Sequence, residues 1–208
     1  MGNGQHWQQI YTTKATDAVS WFRPHLDRSL AFIDVLALDT ALPIIDVGAG
    51  ASTLVDDLLA RGFRDITLND IADAALAQIR QRIASSALAA YVHDRVGDIT
   101  TLDLPAAHYA LWHDRAVFHF LIEPAQRVSY VAQAARTIRS GGHLLIATFA
   151  SDGPERCSGL PIQRYDADTL TAEFAAHFTC TDTAREQHPT PFATTQAFQY
   201  VLLQRRSS

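Results

Sequence analysis

The chain is poor in cysteine, with only Cys157 and Cys180 among 208 residues. Two are too few for a disulfide framework in a domain of this size, so a reducing cytoplasm is expected. No run of about 18 residues stays apolar, and no membrane-spanning helix is expected. No charged start followed by an apolar stretch marks a secretory signal. The opening Met1-Gly2-Asn3-Gly4-Gln5-His6 begins like an acylation signal but has His6 where that signal wants serine or threonine. Basic charge is not in excess: Lys+Arg number 17 against 22 Asp+Glu, a net charge of −5. No global field therefore recruits nucleic acid or an anionic membrane surface. Nine histidines are present, yet no C-x-x-C, H-x-x-x-H or H-E-x-x-H spacing occurs, and no metal is expected. Internal repeats, low-complexity tracts and linkers are also absent.

What the chain does have is apolar content, 48% against 19% charged residues, enough to bury a core. At about 100–200 residues per domain, residues 1–208 read as one domain. Short β-like runs alternate with helical stretches, the pattern of a doubly wound α/β parallel sheet covered on both faces. Pro43 to Val47 is the first strand, followed by a glycine turn and a helix carrying Leu54, Val55, Leu58 and Leu59. A second strand is expected over Asp65 to Asn69, and Leu76, Ile79 and Ile83 then share one helix face. Further strands are expected at Ala89 to His93, Tyr109 to His113 and Leu144 to Phe149. The helix before the last of these has Val128, Val131, Ala135 and Ile138 on one side, and Gly141-Gly142 read as its C-terminal cap. After Phe149 a Gly/Pro-bearing loop precedes a short helix near 168–176. Two runs, 178–183 and 196–204, then lie close enough in sequence to pair antiparallel. The chain divides into an aromatic-rich cover over 1–40, a core over 41–150, and a loop with a sheet-completing hairpin over 151–208.

In such a sheet the ligand sits outside the carboxyl ends of the strands. The first turn there is Asp46-Val47-Gly48-Ala49-Gly50-Ala51-Ser52. Gly48 and Gly50 permit a sharp turn and close backbone approach to a ligand. A dinucleotide fingerprint would require glycine where Thr53 stands. Asp46 would repel a pyrophosphate but suits a ligand bearing an ammonium and a sulfonium, which describes S-adenosylmethionine. Asp70, at the end of the second strand, can accept from both ribose hydroxyls. Asp98 can accept from the adenine amino group while Ile99 packs on the ring. The plainer reading makes Asp70 a helix N-cap and Asp98 a turn residue, but the three acids at successive strand ends favour a cofactor site.

These residues, with Leu68-Asn69-Asp70, Gly97-Asp98-Ile99 and Ile138-Arg139-Ser140-Gly141-Gly142-His143, resemble the class I S-adenosylmethionine-dependent methyltransferases over roughly residues 40–150. The resemblance implies a Rossmann-like seven-stranded sheet, mostly parallel, whose last pair is an antiparallel hairpin. Ser52 stands where many members carry a third glycine. At the end of the fourth strand, Trp112-His113-Asp114-Arg115-Ala116 is similar to a Trp-Asp-Arg-Gly segment of thiopurine methyltransferase-like enzymes, and also to the Asp-Lys-Gly segment of some protein lysine methyltransferases.

In such a fold this strand end faces the methyl group. His113 and Asp114 are the candidate bases, with His113 preferred because its ordinary pKa lies near neutrality. Arg115, Cys157 and His188 are candidate substrate contacts. Trp21 is a candidate lid over the cofactor. The plainer alternative is that Asp114 and Arg115 cap a helix. The expected activity is methyl transfer to a small nitrogen, sulfur or oxygen nucleophile. A protein lysine methyltransferase, a non-catalytic S-adenosylmethionine-binding module and a nicotinamide-dependent oxidoreductase are the alternatives, the last disfavoured by Asp46 and Thr53.

Overall fold

The computed structural model describes residues 4–207; Met1 to Asn3, the start of the acylation-like opening, and Ser208 lie outside it. Strands β1 (Ile44–Val47), β2 (Ile66–Asp70), β3 (Val92–Val96), β4 (Tyr109–Arg115), β5 (Ile138–Phe149), β6 (Phe178–Pro189) and β7 (Thr195–Arg205) form one sheet. Its order is β3-β2-β1-β4-β5-β7-β6. The first five strands run parallel, while β7 is antiparallel to both β5 and β6. The α/β, doubly wound reading and its C-terminal antiparallel hairpin therefore hold. Helices α1 (Gly4–Thr13), α2 (Asp27–Leu36), α3 (Leu54–Ala60), α4 (Asp73–Ile83), α5 (Pro124–Thr137) and α6 (Ala167–Phe174) complete the fold.

Strand alternation sends successive side chains to opposite faces, and two cores result. Ile44, Leu68, Leu111 and Leu145 meet Leu30 of α2, Leu54 of α3 and Leu76 and Ile79 of α4. Ile45, Val47, Trp112 and Ile146 meet Tyr130 and Val131 of α5 and Leu170 and Phe174 of α6. Because β1 and β4 are buried on both faces, they read as continuous apolar runs, as central parallel strands do.

Three local expectations are corrected. Residues 87–91 form a 3-10 turn in which the Ser86 side chain accepts from Leu88 N, so β3 starts at Val92. Gly141-Gly142 do not cap α5, which ends at Thr137; they lie inside β5. There Gly141 takes φ +72° and the β4–β5 register shifts between Tyr109 and Leu111, as a bulge requires. A Cβ on Gly142 would stand 2.8 Å from Ile138 Cγ2 and 3.1 Å from Tyr109 O. Finally, the buried side of α5 is Tyr130, Val131, Ala134 and Ala135, whereas Val128 is 69% exposed and Ile138 belongs to the strand.

Candidate active site

The carboxyl ends of β1, β2, β3 and β4 open onto two clefts that meet over Gly48. The first, with about 540 Å³ of empty space, is lined by Asp46, the Gly48–Ser52 turn, Arg23 and His113. The second, about 840 Å³, is lined by Asp70, Asp98, Ile99, Val117 and Cys157 among others. Tyr11, Trp21, Gly48 and Arg115 border both. The cofactor residues expected from sequence, Trp21, Asp46, Gly48, Gly50, Asp70, Asp98 and Ile99, are thus gathered along one continuous surface.

Gly48 and Gly50 take φ +63° and +57°, the left-handed region glycine enters without strain. Both are also approached closely. A Cβ on Gly48 would lie 1.9 Å from Val117 Cγ2, and one on Gly50 2.5 Å from the Tyr11 hydroxyl. Asp70 ties the turn to β2: its Oδ2 accepts from Gly50 N at 2.9 Å and its Oδ1 from Ala72 N at 2.8 Å. It therefore serves the turn before α4 as well as facing the second cleft. Asp98 Oδ1 accepts from Thr100 N and Oγ1, so the turn role and the cleft position coexist. Asn69, not singled out from sequence, donates to Arg95 O and Gly97 O and fixes the end of β3 beside Asp98.

Burial pushes the Asp70 carboxyl up to about 6, against the backbone bonds that lower it. A folded acid with a raised pKa contributes most to stability below its ordinary value near 4, and that contribution is lost as pH rises through about 6. Acceptance from two ribose hydroxyls asks for the opposite, ionised form. The affinity for a ribose-bearing ligand is expected to rise between about pH 4 and 6 and level off above. Calorimetric titration of S-adenosylhomocysteine across that range checks this, and Asp70→Asn is expected to flatten the rise.

On β4 the alternation decides which residues reach the clefts. Leu111, His113 and Arg115 share the face of Ile44 and Asp46, while Trp112 and Asp114 point to the other. Asp114 is fully buried and lines neither cleft. It accepts from Val117 N at 2.9 Å, Phe118 N at 3.1 Å and the Tyr130 hydroxyl at 2.5 Å. It holds the turn after β4 and stands away from both clefts, where a base would have to reach an acceptor.

His113 lines the first cleft with both ring nitrogens engaged. Nδ1 lies 2.7 Å from Asp46 Oδ1 and Nε2 2.9 Å from Ser29 Oγ. Both nitrogens are thus already hydrogen-bonded within the protein, and the proton-accepting role expected of His113 would compete with these bonds. Arg115 is held rigidly, with Nε donating to the Tyr200 hydroxyl at 3.1 Å and Nη1 to Trp21 O at 3.2 Å. Its guanidinium lies 4.3 Å from the Phe198 ring centroid, and Glu186 stands 4.0 Å from Nη2.

Cys157 sits in a short ribbon, Arg156–Cys157 paired with Leu160–Pro161, and faces the second cleft. Burial pushes its thiol up to about 12, so it stays neutral. His188 lines neither cleft; its Nε2 donates to Ser20 O at 2.8 Å and it packs against Phe198. The structure thus does not bring it together with the other expected substrate contacts, Arg115 and Cys157; it pins the segment that carries Trp21. A cover closes over the second cleft. Trp7 of α1 packs edge-on against Trp21 and Phe120 at 5.7 and 5.2 Å. Gln78 of α4 holds α1 by donating to Tyr11 O at 2.6 Å. Among the described residues no cluster of three or more His, Cys, Asp or Glu could hold a metal ion. No helix there is long and apolar enough to cross a membrane.

The residues present fit S-adenosylmethionine, with the Asp46 carboxylate in the first cleft and Asp70, Asp98 and the apolar Ile99 in the second. Residues 44–142 match the family described as a methyltransferase domain. That match and the sheet order above make the chain similar to the class I S-adenosylmethionine-dependent methyltransferases.

The eEF1A lysine and N-terminal methyltransferase of Mus musculus is 21% identical over 155 residues, 72% of this chain. The chain spans 22% of that protein's length. The 1,6-didemethyltoxoflavin-N1-methyltransferase of Burkholderia thailandensis, solved with 1,6-didemethyltoxoflavin and S-adenosylhomocysteine bound, superposes with a TM-score of 0.70. It is 22% identical over 95% of this chain and 81% of its own. The cyclase SpnF superposes at 0.72 with 15% identity over 99% and 95% of the two chains. At these identities the likeness establishes the fold, and a cyclase among the neighbours means that the fold alone does not define the reaction.

Proposed function

We propose that this protein transfers a methyl group from S-adenosylmethionine to a nitrogen, sulfur or oxygen atom of a small acceptor. The observation that carries this reading is the meeting of two clefts over Gly48, one ending at Asp46 and the other at Asp70 and Asp98. Asp46 would receive the ammonium, Asp70 the ribose hydroxyls, and Asp98 with Ile99 the adenine. When bound, the cofactor supplies a methyl carbon already attached to a good leaving group.

The chain's own residues then have to align the acceptor and exclude water. Trp7, Tyr11, Trp21 and Phe120 supply an apolar enclosure beside Gly48. A proton on the acceptor has His113 as the titratable group nearest at hand, since Asp114 lines neither cleft and Cys157 is neutral.

A small acceptor is favoured over a protein chain because the segments beside the clefts are drawn inward. Cys157 is buried in the cleft. His188 and Gln196 bind Ser20, the residue before Trp21. The relative acting on lysine and N-terminal groups keeps a protein acceptor as the second reading. Incubating the protein with tritiated methyl donor and a cell extract separates them. Label in the low-mass fraction is the expected result. Label confined to protein supports the second reading, and binding without transfer supports a non-catalytic module.

A further inference from the structure

We propose that Ser29 and His113 are positioning residues that set Asp46 to receive the ammonium of the cofactor, so that the fold selects S-adenosyl ligands carrying that group. The inference rests on the cofactor reading above and adds two residues to it. Ser29 of α2, His113 of β4 and Asp46 of β1 form an unbroken hydrogen-bonded line at 2.9 and 2.7 Å. All three are buried. An ionised carboxylate only accepts, so His113 Nδ1 donates to Asp46. In the neutral ring Nε2 then accepts, and the Ser29 hydroxyl donates to it. The order of donors is thereby defined from the helix through the strand to the carboxylate.

The consequence falls on Asp46. Its Oδ1 is committed to the imidazole, and Oδ2 receives no hydrogen bond from the described residues while Asp46 lines the first cleft. One oxygen anchors the carboxylate and the other is presented to the ligand. Such outer-shell bonds hold a binding group in the productive orientation before the ligand arrives. The line has the residue types of a nucleophilic triad, yet Ser29 is fully buried and borders neither cleft. A nucleophile must reach its substrate, so the serine serves the histidine and not a reaction of its own. Ser29 and His113 stand 84 residues apart and are joined only because α2 packs on the face of the sheet that carries β1 and β4.

Two ligands separate positioning from scaffolding. S-adenosylhomocysteine carries the ammonium; 5′-methylthioadenosine has the same nucleoside and lacks it. Calorimetry with wild type, His113→Leu, His113→Asn and Ser29→Ala is the experiment. His113→Leu is expected to weaken S-adenosylhomocysteine on the order of tenfold or more, the scale of a charged hydrogen bond, with 5′-methylthioadenosine changed less than about twofold. His113→Asn, whose amide N–H can stand near the imidazole Nδ1, is expected to recover most of the loss. Ser29→Ala, which removes only a hydroxyl, is expected to give a smaller loss of the same selective kind and carries the test if His113→Leu does not fold. Parallel weakening of both ligands, or no change in either, overturns the proposal. Failure of the wild type to bind either ligand overturns the cofactor reading itself.

Discussion

Asp70→Ala is expected to lower the affinity for S-adenosylhomocysteine by about two to three orders of magnitude. Three losses coincide. The ribose hydroxyls lose their acceptor, and the N–H groups of Gly50 and Ala72 lose theirs at a site that is nearly closed to water. A buried donor left unpaired costs about 1–3 kcal/mol, and the unpaired Gly50 N–H loosens the turn that faces the ligand. Since 5′-methylthioadenosine also carries the ribose, both ligands are expected to weaken together. That pattern distinguishes Asp70 from His113, whose loss selects against the ammonium-bearing ligand alone. Calorimetry with the two ligands checks it; an Asp70→Ala protein that binds both as wild type does would remove Asp70 from the site.

Asp114→Ala is expected to be the most destabilising single change in the region, by about 3–5 kcal/mol. It strands three buried donors at once, the N–H groups of Val117 and Phe118 and the Tyr130 hydroxyl. Tyr130 also accepts from Trp112 Nε1 at 2.9 Å, so the loss spreads into the core beneath α5. Burial raises the Asp114 carboxyl to about 6. By the linkage argument, the part of its contribution that depends on its proton is fullest below about pH 4 and is lost as pH rises through about 6, while the three accepted hydrogen bonds remain. Urea unfolding should show a lower midpoint with an unchanged slope. A catalytic Asp114 would instead give an intact midpoint and lost turnover.

The layout of the sheet was legible because β1, β2, β4 and β5 carry apolar runs separated by helical periodicity, and because Gly48, Gly50, Asp70 and Asp98 punctuate strand ends. Those positions are the ones that line the two clefts at the strand ends. The structure separates the residues expected on the acceptor side, for a reason the chain itself contains. Period-two alternation along β4 places His113 and Arg115 on the Asp46 face and Asp114 on the opposite one, so adjacent polar residues could not share one cleft.

Other partners were not readable at all. Ser29 with His113 and Ser20 with His188 are brought together over 84 and 168 residues, distances that no local pattern encodes. Gly141-Gly142 were ambiguous because glycine marks both a helix end and a strand bulge. The bulge prevailed where Gly142 packs against Tyr109 O. At β3 the Ser86 side chain captured Leu88 N and drew 87–91 into a 3-10 turn, so the strand begins at Val92.

The central claim, a cofactor site for S-adenosylmethionine built on Asp46, Asp70 and Asp98, is tested most directly by titrating the protein with S-adenosylmethionine, S-adenosylhomocysteine and NAD in one calorimetric series. Saturable binding of both sulfur nucleosides at a single site, with no heat from NAD, is the predicted result. Tight binding of NAD with no response to either sulfur nucleoside would contradict it.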